Sequence, residues 1–213
     1  MSTIRRQSII SSLIIYAGFA VGLLNTYFFT REGFNNSFSK EEYGLTTIFL
    51  AMAIMMTSLG SLAMPAYIYK FFPYYKDNLR PKQNDMLSWA LLMGVIGFLL
   101  VMLTGIAMKD LVIRKFGTNS PLLIMYYYWV FPFGLGLTVY SILEAYTWCL
   151  GKAVVTNFFR EVQWRLFTTV LIVLFLTNVI RDFDLFIKLF ALTYPGIAIG
   201  LFAYLVITKK IHF

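Results

Sequence analysis

The amino-acid sequence predicts an all-α membrane protein with six transmembrane helices. Hydrophobic residues make up 59% of the chain and charged residues only 13%, which lies outside the composition of ordinary soluble domains. The charged residues are confined to short segments between long apolar runs. Several of these runs reach the roughly 20 residues that a helix needs to cross a bilayer. Both observations predict membrane-spanning helices rather than a soluble core.

The six predicted spans leave no stretch long enough for a soluble domain, so residues 1–213 are expected to form one membrane domain. Their approximate limits are residues 8–30, 43–69, 86–108, 121–150, 158–180 and 185–208. The first rests on an uncharged run of 24 residues, Gln7–Thr30. This run is too long for the core of a signal peptide, so the first span is expected to be retained.

Local signals support the limits of the later spans. Ser39 and Glu42 have the spacing of a capping box, which predicts the start of the second helix. The third span is uncharged throughout, and Glu144 interrupts the fourth. A connection over residues 152–157 is expected to lead into the fifth span, and a tight turn over residues 181–184 into the sixth.

The distribution of positive charge predicts the orientation of the chain. With six spans, the termini and the second and fourth connections share one side, which holds 11 of the 18 Lys and Arg residues. The opposite side holds seven. Because Lys and Arg are enriched on the cytoplasmic side of membrane proteins, both termini are predicted to be cytoplasmic. The same distribution explains the net charge of +8 without a nucleic-acid partner.

Small residues and prolines indicate how the spans pack and bend. Gly18 and Gly22, like Gly196 and Gly200, are four residues apart, which lets a neighbouring helix approach closely. Three residues are candidate hinges because proline removes a backbone donor and glycine is permissive: Pro65, Pro132 and Gly134. Static kinks are an equally good interpretation of the two prolines.

Charged residues inside spans are the candidates for function, since a charge in hydrocarbon is costly without a cavity or a partner. Glu144 and Arg165 are equidistant from the middle of the predicted 152–157 connection, so we expect them to form a buried ion pair. The competing hypothesis is a local pair between Glu161 and Arg165 at helical spacing, which would leave Glu144 available for proton coupling.

Two segments resemble the start of a known transporter family. Tyr27–Arg31 (YFFTR) followed by Ser39–Gly44 (SKEEYG) is similar to the opening of Wzx-type polysaccharide flippases, and Tyr69–Pro73 (YKFFP) resembles the end of their second span. These bacterial proteins belong to the multidrug/oligosaccharidyl-lipid/polysaccharide exporter superfamily. The resemblance covers roughly the first 80 residues.

The resemblance implies one lobe of a two-lobed transporter in the bacterial inner membrane. Its expected work is to move a polyprenyl-diphosphate-linked oligosaccharide between leaflets by alternating access, without a cofactor or covalent chemistry. Arg31, Arg160 and Arg165 would bind the diphosphate, because the arginine fork suits phosphate oxygens. All three arginines also fit a simpler role as anchors at the membrane surface. The expected partners are the lipid-linked substrate, membrane lipids, and a second lobe or a second copy.

Two alternatives remain open from the sequence. A multidrug exporter of the same superfamily would need an acidic cavity for cations. The sequence offers only Glu144 for such a cavity, together with several arginines. A membrane-embedded enzyme acting on polyprenyl lipids would need clustered carboxylates or histidines. Asp182 and Asp184 are the only close aspartate pair in the sequence, on the predicted outer side. No metal-binding or nucleophile motif occurs, so no metal site is predicted.

Overall fold

The computed structural model describes residues 3–31, 37–80, 84–116 and 120–209. Within these ranges the chain is all-helical and no residue lies in a β-strand, which confirms the all-α class. Lys82 and Lys210, which contribute to the predicted charge bias, lie outside the described residues, as do both chain ends.

The described part of the chain forms a bundle of helices of very different lengths. The α-helices are α1 (Thr3–Thr30), α2 (Lys40–Gly60), α3 (Met64–Asn78), α4 (Met86–Ala107), α5 (Lys109–Phe116), α6 (Pro121–Met125), α7 (Val130–Cys149), α8 (Ala153–Asn157), α9 (Trp164–Leu176), α10 (Phe183–Ala191) and α11 (Thr193–Ile207). A 3₁₀ turn (Tyr127–Trp129) precedes α7, and a π-helix (Phe158–Gln163) joins α8 to α9.

Four helical segments in the described ranges are long and apolar enough to cross a membrane. They are Arg5–Thr30, Lys40–Gly60, Met86–Ala107 and Phe183–Ile207. These segments correspond to the first, second, third and sixth predicted spans. The regions of the fourth and fifth predicted spans are also helical, but α7 and the α8–α9 stretch are not among these four. The six-span arrangement therefore stays a prediction for those two.

The α7 helix is surrounded by protein. It packs against α2, α3, α4 and α11, and 12 of its 20 residues are buried. Close approach depends on glycine: a Cβ on Gly136 would lie 2.2 Å from the Pro195 nitrogen, and one on Gly134 would lie 3.1 Å from the Phe98 ring. A helix enclosed in this way tolerates polar residues such as Thr138, whose hydroxyl donates to the Gly134 carbonyl.

Both proline hinge candidates lie next to a break in a helix. The second predicted span is interrupted at Leu62 and Ala63, which have φ values of 47° and 57°. Pro65 falls in the first turn of α3, where its missing N–H costs no helical hydrogen bond. Pro132 likewise falls in the first turn of α7, after the 3₁₀ turn. The expected kinks are therefore helix ends, and movement at these points stays a prediction.

The connection between α7 and the next helix differs from the one predicted over residues 152–157. A Schellman motif ends α7: Gly151 has φ 72°, and the Lys152 N–H donates to the Thr147 carbonyl at 3.1 Å. Helix α8 then begins at Ala153, so most of the predicted connection is helical. A second Schellman motif, with Asn178 at φ 60°, ends α9 at Leu176.

Contacts between the connections define two ends of the bundle. At one end the Gln7 amide donates to the Gly151 carbonyl, and Tyr69 of α3 packs near Trp148. At the other end Phe38 stacks on Phe175, with ring centroids 4.3 Å apart. The N-terminal turns of α1 therefore lie beside the α7–α8 connection, and the start of α2 lies beside the end of α9.

Candidate functional site

The π-helix forms the platform of the candidate site, and α1 crosses it at backbone level. A Cβ on Gly18 would lie 2.3 Å from the Glu161 carbonyl oxygen, and one on Gly22 would lie 3.4 Å from the Arg165 guanidinium. A π-helix holds one extra residue in its turn, and such turns often occur at functional sites. The predicted close packing at Gly18 and Gly22 is confirmed.

The second small-residue face packs on the same helical stretch. A Cβ on Gly200 would lie 2.7 Å from the Phe159 ring, and one on Gly196 would lie 3.4 Å from the Phe167 ring. Helices α1 and α11 therefore both pack against the segment from α8 to α9. This segment carries Arg160, Glu161 and Arg165. Its packing against α1 and α11 therefore fixes where these three charged side chains lie.

Four charged side chains form a continuous chain of ion pairs. The Glu144 Oε1 accepts from Arg160 Nη1 at 2.9 Å. Arg160 Nε in turn donates to Glu161 Oε1 at 3.1 Å, and Glu161 Oε2 pairs with Arg165 Nη2 at 3.0 Å. We call these four residues the charge network. Its two acids and two bases cancel, which lowers the cost of holding charge in a largely apolar bundle.

The prediction that Glu144 and Arg165 form an ion pair is wrong. Glu144 meets Arg160, whereas Arg165 pairs with Glu161 four residues before it, as the competing hypothesis held. Glu144 is nevertheless not left alone. The error came from the position of the turn, because residues 144 and 160 are equidistant from Lys152, which lies between α7 and α8.

A hydrogen-bonded polar cluster fixes Arg165 from the side of α1. The Asn25 amide donates to the Arg165 carbonyl at 3.0 Å, and its oxygen accepts from the Thr169 hydroxyl at 2.6 Å. That hydroxyl is also 2.8 Å from the Arg165 carbonyl. Asn25 is buried. Because a buried amide without partners would be costly, this reciprocal contact locks α1 to α9 next to the charge network.

Arg165 also lines a small cavity with mixed polar and apolar walls. The cavity has a volume of about 230 Å³ and lies between α1, α2 and α9, with Phe190 of α10 at its wall. Its other polar lining residues are Asn25, Thr26, Thr46, Thr47 and Thr168. Arg165 Nη1 is buried and has no hydrogen-bond partner in the protein. One nitrogen of the Arg165 guanidinium therefore has no hydrogen-bond partner beside a cavity whose walls include hydroxyl and amide groups.

Arg31 lies apart from the other two arginines predicted to bind substrate. It follows α1 nine residues after Gly22, which corresponds to about 14 Å along a helix. The side chain is exposed, its Nη1 donates to the Tyr27 hydroxyl, and its guanidinium carbon is 5.3 Å from the centre of that ring. The structure thus brings together Arg160 and Arg165, through Glu161, but not Arg31.

Several residues of the site could not be singled out from the sequence. The sequence analysis did not single out the π-helix, Asn25 or Trp164. In the structure, Trp164 stacks on Tyr194 with ring centroids 5.1 Å apart and donates to the Thr193 hydroxyl. One signal was present for Asn25. It is a polar amide in the apolar first span, seven residues after Gly18 and therefore on the same helix face.

The polar groups of this site are arginine, hydroxyl and amide side chains. In the part of the chain that the structure describes, no three His, Cys, Asp or Glu residues lie close enough to hold a metal ion. The aspartate pair considered for an enzyme is not a free carboxylate cluster, because Asp184 accepts from Lys188 at 2.5 Å. Arginine with hydroxyl and amide donors can hold phosphate or carboxylate oxygens without any covalent step.

Over the described ranges, the fold and the site define an all-helical protein with four helical segments long and apolar enough to span a membrane and with a network of paired charges on α7 and the α8–α9 stretch. Comparison with known protein families, characterised proteins and solved structures finds no match to this chain.

Proposed function

We propose that this chain is one lobe of a membrane transporter that moves a polyprenyl-diphosphate-linked oligosaccharide across the bacterial inner membrane. The observation that carries the proposal is the buried Nη1 of Arg165, which has no hydrogen-bond partner and lies next to a cavity that also holds hydroxyl and amide groups. The Arg165 charge is balanced by Glu161, but a buried donor nitrogen without a hydrogen-bond partner is costly unless an acceptor such as an anion binds there for part of the cycle. The diphosphate is that anion, in agreement with the resemblance of the first 80 residues.

The size of the cavity agrees with transport by alternating access. About 230 Å³ is below the roughly 300–1,000 Å³ of most small-molecule sites, so it admits a phosphate group but not a whole glycan headgroup. The headgroup therefore requires separation of the helices that enclose the cavity. The breaks before Pro65 and Pro132 are the proposed hinges, and a second lobe or a second copy of the chain would complete the passage.

The lining of the Arg165 cavity supports an anionic substrate over the cationic drug of a multidrug exporter. Glu144, the acid inside α7, is already paired with Arg160 at 2.9 Å. The lining of the cavity carries Arg165 and no acidic residue among the described residues. An acidic cavity is what a cation exporter needs, so that alternative is the weaker proposal.

We further propose a multi-pass topology with six spans and both termini in the cytoplasm.

A reconstituted flipping assay tests this function. The transporter, with its second lobe where one exists, is placed in liposomes containing a fluorescent polyprenyl-diphosphate oligosaccharide, and a membrane-impermeant quencher reports the fraction in the outer leaflet. The parent protein should move the lipid-linked glycan and should not move a fluorescent cationic dye. Transport of the dye alone would favour the multidrug alternative.

A matched pair of arginine variants links the activity to the cavity. Arg165→Lys keeps a positive charge for Glu161 but removes the forked second nitrogen, and we expect at least a tenfold slower flipping rate. The control is Arg181→Lys, since Arg181 is exposed in the connection between α9 and α10. Equal flipping by the parent and by Arg165→Lys would remove the main support for the proposal.

A further inference from the structure

A groove separate from the charge network lies between α2, α4 and α5. It has a volume of about 500 Å³. Helices α2 and α4 touch at Gly60 and Gly97, where a Cβ on Gly97 would lie 2.4 Å from the Gly60 carbonyl oxygen. Beyond this crossing the two helices leave a wedge of space, and Tyr127 holds its inner wall by donating to the Gly105 carbonyl at 2.8 Å. We call this space the α2–α4 groove.

The walls of the α2–α4 groove are apolar and face away from the bundle. Both helices are long and apolar enough to span a membrane, and in a membrane the open side of the groove would meet hydrocarbon. Several of its side chains are more than half exposed, among them Met55 at 58%, Leu59 at 62% and Leu100 at 58%. Methionines contribute four of the lining residues, and their flexible side chains adapt to an irregular apolar ligand.

A basic residue stands at one end of the groove. The short helix α5 carries Arg114 and Lys115 in its last turn, and Lys115 lines the groove together with Leu111 and Val112 of the same helix. Helix α5 therefore presents apolar side chains and one cation to the same space. A lysine at the end of an apolar surface keeps its charge at headgroup level, where it attracts anionic lipids.

We infer that the α2–α4 groove is a binding site for one anionic phospholipid, with an acyl chain in the groove and the phosphate at Lys115. The groove follows α4 from Leu100 to Met108, which corresponds to about 12 Å of helix, and α5 extends it. A long apolar space with a single cation at one end matches the shape and charge of such a lipid. The inference does not depend on the proposed transport activity.

Native mass spectrometry of the purified full chain tests the charge at Lys115. Phosphatidylglycerol and phosphatidylcholine with identical acyl chains are added in equal amounts. The parent should retain one phosphatidylglycerol at least fivefold more often than phosphatidylcholine, and Lys115→Ala should lose that preference. Arg114→Ala is the matched control, because Arg114 is in the same turn but does not line the groove. Equal retention of both lipids by the parent would overturn the inference.

Photocrosslinking locates the lipid without altering Lys115. A benzoylphenylalanine is placed at Met55 or at its neighbour Ile54, which is 53% exposed but does not line the groove. In membranes enriched in phosphatidylglycerol, the probe at Met55 should crosslink that lipid several times more than the probe at Ile54. Crosslinking of a second copy of the chain from Met55 would show a protein–protein interface there and would overturn the lipid assignment.

Discussion

The Glu144 carboxylate on α7 accepts a hydrogen bond from Arg160 Nη1, 2.9 Å away on the π-helix. Glu144 is the more enclosed partner, with 13% of its side chain exposed against 39% for Arg160. Removing one partner of a fully buried pair costs about 3–5 kcal/mol. Because Arg160 is partly exposed, we expect Glu144→Arg or Arg160→Glu alone to lower the free energy of unfolding by about 1–3 kcal/mol.

A charge swap isolates this pair. Glu144→Arg combined with Arg160→Glu should be more stable than either single variant, as measured by unfolding in detergent and SDS mixtures, although the contact of residue 160 with Glu161 is not restored. Glu144→Arg combined with Arg165→Glu is the control and should show no such recovery, because Glu144 pairs with Arg160 and Arg165 pairs with Glu161. Recovery in the control and not in the swap with Arg160 would contradict the observed pairing.

Much of the helical plan follows from hydropathy and capping signals, because these act within a few residues. The predicted capping box is present: the Ser39 hydroxyl accepts from the Glu42 N–H at 3.2 Å, and Glu42 accepts from the Ser39 N–H at 2.7 Å. Helix α4 starts at Met86 as predicted and ends one residue early, at Ala107. The helix break at Leu62–Ala63 is harder to predict from the sequence, because it lies next to the close contact of Gly60 with Phe98 of α4, and such long-range packing is not encoded in local propensity.

The members of the charge network were predicted, and so was the Glu161–Arg165 pair as one of two alternatives, but the Glu144–Arg160 pair was not. The arginines and acids of the network were recognised because charge inside an apolar run is conspicuous. The Glu161–Arg165 pair follows from a local spacing of four residues. The Glu144–Arg160 pair depends on where the turn between α7 and α8 falls, and that turn lies at Lys152 rather than at the middle of the predicted connection.

Gly18→Val should destabilise the protein more than a surface substitution does. Its Cβ would lie 2.3 Å from the Glu161 carbonyl oxygen, so α1 must move away from the π-helix. Forcing atoms into a packed contact typically costs about 1–3 kcal/mol. Unfolding in SDS and the amount of monodisperse protein measure the loss. Gly44→Ala is the control: no atom lies within 4 Å of its Cβ, so higher helix propensity should make it neutral or slightly stabilising.

The predicted orientation can be measured by cysteine labelling. In a Cys149→Ser background, single cysteines replace Ser37 and Asn78, both exposed and at opposite ends of the second predicted span. If both termini are cytoplasmic, an impermeant maleimide added to intact cells should label Ser37→Cys and not Asn78→Cys. After membrane disruption both should react. The reverse pattern in intact cells would invert the proposed topology.

Arg31 separates a role in transport from a role in membrane anchoring. The side chain is exposed and contacts Tyr27 on the last turn of α1, an arrangement worth only about 0.5–1 kcal/mol. Arg31→Ala and Arg31→Lys should therefore insert and accumulate like the parent. If Arg31 meets the diphosphate outside the cavity of Arg165, both variants should flip the lipid-linked glycan several times more slowly.

The lysine variant is the more informative of the two. An anchor at headgroup level needs a positive charge on a flexible stem, which lysine supplies. A phosphate site needs the planar fork of arginine, which lysine lacks. Parental flipping by Arg31→Lys with impaired insertion of Arg31→Ala would therefore identify an anchor. Slow flipping by Arg31→Lys with normal insertion would place Arg31 on the path of the substrate, about 14 Å along α1 from the charge network.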